Sequence, residues 1–522
     1  MLKPEYLDAL PDSLIELYSQ VEQDILADMA RRISQYNYWI PAVEHQRQKL
    51  REMGLSQKHI IRVLSQISGK SQGEIKRLMQ QACDKALESD RDYYRQYGFD
   101  APSAKSAEMK AILNAGLKST NALFKNLTKT TASAGQEQFV NALDKAWLQI
   151  NSSAFDYNTA IRNAIKDLAR QGLHAVRYAS GRADTLEVAV RRAIVTGVNQ
   201  TAGQMQWQLA DELGCDLVET TAHAGARPEH AVWQGKIYSR SGKSKKYPDF
   251  RSSTGYGTGA GLLGWNCRHN FNPYVEGSPR AYSDELLQEY NAKKYEYNGK
   301  KLTEYEASQM QRYHERQIRR WKRENVAMQA AGQDTTESAI KIRSWQERQK
   351  DFIRQTGLKR QSDREQIAGF GKSQARKATQ QAKTIESKAN KLYNLGNTEA
   401  NVETYLRHKS VHDELESHDI QFVQWISEKE VVVNAGKPKI TGETKHAADN
   451  RALKSDRAGM TIEKAQSFVD NAKITVYQPD RNNLKFLAQD GYTILNFDNV
   501  LVTAVPQKWR RKYDKYLEVD EE

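Results

Sequence analysis

Residues 261–277 read GLLGWNCRHNFNPYVEG. Cys267 is one of three cysteines in the chain, and two residues on stands His269, one of eleven histidines. Just upstream, GAGLLG at 259–264 satisfies G-x-G-x-x-G. A dinucleotide site needs a strand before that motif and a helix after it, so that phosphate meets free helix N–H groups. Here polar residues precede it and WNCRHNFNPY, with a proline, follows, so the glycines read as turns. The GKS at 242–244 and at 371–373 lacks the upstream glycine of a phosphate loop.

Working upstream, HAGARPEH supplies His223 and His230. With Cys267 and His269 they make one thiolate and three imidazoles in a pair-plus-pair arrangement, a donor set that suits tetrahedral zinc. The spacings C-x-H and H-x₆-H are not common finger spacings. Three readings are open: structural zinc, a metal-free clasp in which the histidines bond backbone and Cys267 is simply buried, and catalysis. Zinc is the one cofactor these residues raise.

The flanking sequence predicts the frame around this loop. Ile161, Ile165 and Leu168 share one face of NTAIRNAIKDLARQ (158–171), which stops at Gly172. Asp184 and Glu187 read as a capping-box start to a helix carrying Leu186, Val190 and Ile194 inward. CDLVETTAH is a short strand that delivers His223 to a loop. Nearer the N-terminus, Ile60, Ile61, Val63, Leu64 and Ile67 form a stripe that SGKSQGE is expected to break before Ile75, Leu78, Met79 and Ala82 resume it. Residues 101–135 read as a weakly packed helix or hinge. From about 278 to 430 the composition turns highly charged, as in ERQIRRWKREN, and predicts long exposed helices forming an arm. On it Tyr305, Tyr313 and Trp321 are placed to pack against another subunit rather than to stack on bases. After TIEKAQSFVDNA, the runs ITVYQ, LKFLAQ, YTILNF and VLVTAVP read as short strands. The fold class is mainly α and multi-domain with a small α+β C-terminal domain, divided at 1–150, 151–277, 278–430 and 431–522.

Bulk properties agree with such a chain. Of its 522 residues 39% are hydrophobic and 27% charged, with a mean hydropathy of −0.78. That apolar supply is thin for one large core. The net charge of +13 favours polyanionic neighbours such as nucleic acid, the alternative being solvated helix faces whose basic residues pair with glutamates. Three distant cysteines imply no disulfide framework and fit a reducing cytoplasm. The first residues do not read as a signal peptide, and no run reads as a membrane span.

The succession HAGARPEHAVWQGKIYS, KYPDF and GYGTGAGLLGWNCRHNFNPYVEG resembles the second phage minor capsid protein family, a relative of the Mu-type minor head proteins. The family pattern falls here on His223, Arg227, His230, Gly235, Cys267, Arg268 and His269, and the resemblance covers roughly residues 1–360. It implies a virion structural protein at or near the portal vertex inside the head, with portal and capsid proteins as partners. It also implies association with packaged DNA, or ejection with it. The tail resembles BECR-type RNase domains (barnase, EndoU, colicin and RelE-like). That resemblance implies RNA as substrate and metal-independent cleavage, with His446 as acid/base and Arg451, Arg457 and Thr503 stabilising phosphate. A docking module and a non-catalytic DNA-binding head scaffold are the alternatives to this enzyme.

Overall fold

The computed structural model describes residues 2–100, 106–152, 154–177, 183–393, 399–427, 429–453 and 460–517. The fold is mainly α, with a sheet-containing C-terminal region. The chain forms two compact units. The first comprises residues 1–35, 48–141 and 165–381, and the second 36–47, 142–164 and 382–522.

The helices in chain order begin with α1 (Pro4–Ala9), α2 (Asp12–Gln35), α3 (Ala42–Gln96), α4 (Ala107–Asn151), α5 (Tyr157–Gln171) and α6 (Leu186–Glu212). The pair β1 (His174–Arg177) and β2 (Ala183–Thr185) lies between α5 and α6. On α2, Leu14, Tyr18, Val21, Ile25, Met29 and Ile33 are buried at helical spacing. α3 runs unbroken through Gly69 and Gly73, contrary to the expected break. Both glycines are exposed, while Ile67, Ser71 and Ile75 on the opposite side are buried. The cost of about 1 kcal/mol for a helical glycine is outweighed by that buried stripe. Ile61 falls off the stripe and is exposed. Likewise residues 107–135 form no hinge but part of the continuous α4. Its small residues serve close packing: a Cβ on Gly116 would meet Thr201 at 2.2 Å, and one on Gly197 would meet Thr120 at 2.4 Å. Gly116 of α4 and Gly197 of α6 thus each receive a threonine of the other helix.

The start of α6 also departs from expectation. Its N-cap is Thr185, without a side-chain cap bond. Asp184 is instead buried against Arg192 at 2.6 Å, and Glu187 lies 3.3 Å from Arg319. An ion pair to a longer-range partner has displaced the local cap.

The next segment holds a three-stranded antiparallel sheet, in the order β4 (Ile237–Ser239), β3 (Leu217–Thr220), β5 (Phe271–Pro273). Its turns carry the short helices α7 (Pro228–Ala231) and α8 (Phe250–Thr254). Val218, Trp233, Tyr238, Phe250, Leu262, Leu263, Cys267 and Phe271 form its core. The glycine loop owes its composition to backbone crowding. A Cβ on Gly261 would sit 2.0 Å from the Gly255 carbonyl oxygen, and one on Gly264 would sit 2.4 Å from that of Gly259.

Beyond it come α9 (Asp284–Asn291), the hairpin β6 (Tyr295–Tyr297) and β7 (Lys300–Leu302), α10 (Glu304–Ala330), α11 (Thr336–Thr356) and α12 (Lys372–Tyr393). The charged helices are not merely an exposed arm. α10 packs on α2 and α11, and Trp321 is buried with Ala339, Ile342, Ile367, Phe370 and Ala378. Polar residues are buried here with partners: Lys322 Nζ donates to the Glu365 carbonyl at 2.7 Å, and His314 Nδ1 meets Gln349 Oε1 at 3.0 Å. Tyr313 is exposed, its ring edge-on to Trp345. Counting apolar positions misses such a helix because polar side chains such as Gln311, His314, Lys322 and Asn325, each hydrogen-bonded, take up much of its inner face.

In the second unit, α13 (Glu399–Ser417) precedes β8 (Gln421–Ser427), β9 (Glu430–Asn434), β10 (Gly442–Glu443), α14 (Lys445–Leu453) and α15 (Ile462–Asp470). Then follow β11 (Ile474–Gln478), β12 (Asn483–Leu487), β13 (Gly491–Leu495) and β14 (Val500–Pro506). The seven strands order as β10-β14-β13-β12-β11-β9-β8, antiparallel apart from the β10–β14 pair. On β9, Val431 and Val433 face the helical side with Phe468 and Leu501, while Val432 faces Ile474, Val476 and Tyr513. Strands β11 to β14 occupy the four runs read from sequence. β8 and β9 fall within or beside the charged stretch and were not anticipated.

Candidate functional site

The first unit brings three of the four expected donors to one point. His230 lies within the one-turn α7, and Cys267 and His269 lie on the approach to β5. Their ligand atoms all fall within 4.8 Å of one another. His230 Nδ1 and His269 Nδ1 are 3.3 Å apart, and each is 3.7 Å from Cys267 Sγ. All three side chains are 1–2% exposed. Burial lowers the pKa of both histidines and raises that of the thiol.

His223 stands apart from this set. It is half-buried, its Nδ1 meets the Ala224 carbonyl at 2.8 Å, and its ring lies 4.5 Å from that of His269. It flanks the cluster rather than joining it.

Residues that donor counting missed hold the cluster in place. Gln234 Oε1 accepts from the His223 backbone N–H at 3.1 Å, which fixes the amide's orientation, and the same oxygen faces His269 Nε2 at 2.9 Å. His230 Nε2 faces the Ala260 carbonyl at 2.8 Å. Arg227 Nη2 approaches that nitrogen at 3.2 Å and donates to the Trp265 carbonyl. A carbonyl or amide oxygen can only accept. The Ala260 carbonyl at 2.8 Å is closer to His230 Nε2 than the Arg227 donor at 3.2 Å, so the proton is assigned to Nε2 on His230, and facing Gln234 Oε1 to Nε2 on His269. Both Nδ1 lone pairs therefore point into the cluster. From α6, the fully buried Asn199 donates to the Cys267 carbonyl at 3.1 Å and the His269 carbonyl at 2.9 Å, clamping the C-R-H tripeptide. Polar side chains among the apolar positions of α6, Asn199 with Thr201 and Gln206, were the available signal for it.

Between the two donors, Arg268 points the other way, to Asp8 on α1 at 2.5 Å. Asp8 also pairs with Arg364, lies 3.6 Å from Arg312 and 3.9 Å from Arg191. Burial alone would raise its pKa. Arg268, Arg364 and Arg312 outweigh that and hold it down to about 2. The donor loop is thus tied to α1, α6, α10 and the 3₁₀ turn at Ser362–Glu365.

The expected RNase residues lie in the second unit and form no comparable cluster among the described residues. His446 is exposed on the first turn of α14, its Nε2 meeting Asn450 Nδ2 at 2.7 Å. Thr503 is on β14, against which α14 packs. Arg451 is in α14, its side chain outside what is described, and Arg457 lies outside the described residues.

With this geometry in place, comparison with known proteins decides the family. The model of phage minor capsid protein 2 matches residues 2–354, which hold the whole donor cluster and Asp8. The chain belongs to that family. Phage minor capsid proteins are structural components of the virion, and two relatives bear the name of structural protein. A "Structural protein" of Lactococcus phage LL-H is 30% identical over 145 residues, 27% of this chain and 39% of the relative. A "Structural protein" of Lactococcus phage mv4 is 37% identical over 128 residues, 24% of this chain and 95% of the relative. The chain thus spans well under half of the first relative's length and nearly all of the second's. No solved structure matches it. Among the described residues of this minor capsid protein, no helix is long and apolar enough to cross a membrane.

Proposed function

We propose that this minor capsid protein sits at the portal vertex, with portal and capsid proteins as partners. In this reading the His230–Cys267–His269 loop is a structural clasp and not a reaction centre. One observation carries the clasp: the three donor side chains are 1–2% exposed, closed off by Gln234, the Ala260 carbonyl and the Trp233 ring, which lies 4.7 Å from that of His230. A catalytic centre needs an open position for its substrate. The net charge of +13 suits a place beside packaged DNA. Cross-linking mass spectrometry on purified virions is the test. Cross-links to portal protein are expected, and absence of those links from virions that contain the chain would remove the vertex placement. In His230→Ala virions the chain is expected at strongly reduced copy number.

The second reading concerns the tail, where α14 with His446 packs on β14 with Thr503. A metal-independent RNase there would cleave RNA in EDTA as the full-length chain and lose that activity in His446→Ala. RNA left intact by the wild type would leave the second unit as a docking module.

A further inference from the structure

We propose that His230 Nδ1, Cys267 Sγ and His269 Nδ1 hold a zinc ion, with His223 outside the ligand set. The proposal rests on the clasp reading and adds what closes the clasp.

Three independent observations carry it. The first is spacing. Around a tetrahedral zinc, with bonds of about 2.0–2.1 Å to nitrogen and about 2.3 Å to sulfur, ligand atoms stand about 3.3 Å apart for two nitrogens and about 3.6 Å for nitrogen and sulfur. The cluster shows 3.3 Å between the nitrogens and 3.7 Å from each to the sulfur. The donors occupy three vertices of such a tetrahedron, and because all three are 1–2% exposed the fourth falls to an enclosed water and not to a substrate.

The second is the proton count. Outward bonds to Ala260 and Gln234 place the protons of both imidazoles on Nε2. The two Nδ1 lone pairs then face each other in a buried space, with a single thiol proton to share between them. Cys267 can donate to one nitrogen, which leaves the other lone pair opposed and unsatisfied. Buried polar groups are rarely left so. A cation at the centre satisfies all three donors at once, the thiol releasing its proton as it becomes the thiolate ligand.

The third is the donor chemistry and its support. One sulfur and two imidazoles, without a carboxylate, suit zinc and disfavour calcium and magnesium, which take oxygen ligands. Each ligating ring donates its second N–H to a fixed oxygen, the arrangement that orients histidine ligands in metal sites. Asn199 holds both carbonyls of the tripeptide.

The test is the metal content of the full-length chain, purified after growth with zinc and dialysed against metal-free buffer. About one zinc per chain is expected. Cys267→Ala and His230→Ala are expected to fall at least tenfold below it, and His223→Ala to keep it. As a check independent of variant folding, cobalt(II) added to chelator-stripped wild type is expected to give a thiolate-to-cobalt charge-transfer band that prior alkylation of the thiol abolishes. Wild type without zinc and without that band overturns the proposal, as does zinc retained in Cys267→Ala. Loss of zinc in His223→Ala overturns the three-ligand assignment. The clasp reading fails separately, if His230→Ala leaves both the melting temperature and virion incorporation unchanged.

Discussion

Asp8→Asn is expected to destabilise the first unit by about 2–3 kcal/mol, the worth of the charge that the arginines around this part-buried carboxyl hold in place. The amide keeps the volume of the carboxyl and removes only its charge. Asp8 is the shared acid of Arg268, Arg364, Arg312 and Arg191, and those guanidiniums come from four separate segments of the chain. Asp12 reaches Arg191 at 3.4 Å and acts with Glu315 on Arg364, whereas the ion pair of Arg268 is made with Asp8. The same carboxylate sets a pH dependence. Its folded pKa, about 2, lies below its unfolded value near 3.8. Its contribution is therefore complete above about pH 4 and is lost as the pH falls through about 2. The shift corresponds to about 2.5 kcal/mol. Urea unfolding of the full-length chain, followed by a probe in the first unit at pH 7 and pH 3, measures both effects. A midpoint for Asp8→Asn within error of wild type at pH 7 would show that the arginines find other partners.

Asn199→Ala is the second large effect, expected at about 2–4 kcal/mol. Two buried carbonyls, those of Cys267 and His269, lose their donor together, and each unsatisfied group costs about 1–3 kcal/mol. Asn199→Asp is expected to be at least as costly, since it turns an acceptor towards both carbonyls. Because Asn199 positions the tripeptide without contacting the metal position, the alanine variant separates orientation from ligation. It should still bind zinc, with affinity about 10–100-fold weaker, as for the loss of other outer partners of metal ligands. Competition with a chromogenic chelator reads this directly. Unchanged affinity would mean that the loop holds its shape through the sheet alone.

How much of this was legible in the chain depends on the range of the interaction. Helical stripes such as Ile161–Leu168 and strands such as Ile474–Gln478 are set by neighbours within a few residues, so periodicity exposes them. β8 and β9 were still missed, because they are set in charged sequence. The break expected at SGKSQGE did not occur, since distant partners bury the face opposite its glycines. The charged α10 reads as exposed until Trp321, His314 and Lys322 are seen to be paired across the fold.

The candidate site divides in the same way. Residue types alone named His223, His230, Cys267 and His269 as donors, because few side chains can ligate and these cluster in two short segments. Which of them meet was decided by tertiary structure. His230 and His269 are brought together by the β3–β4–β5 sheet and the close-packed glycine loop. His223 is turned aside by its bond to the Ala224 carbonyl. Gln234 and Ala260 direct the lone pairs inward. The link from Arg268 to Asp8 spans 260 residues, a distance over which no local pattern carries information. Sequence settles what each side chain can do, whereas convergence and protonation are properties of the packed chain, because they depend on which distant oxygens face each ring.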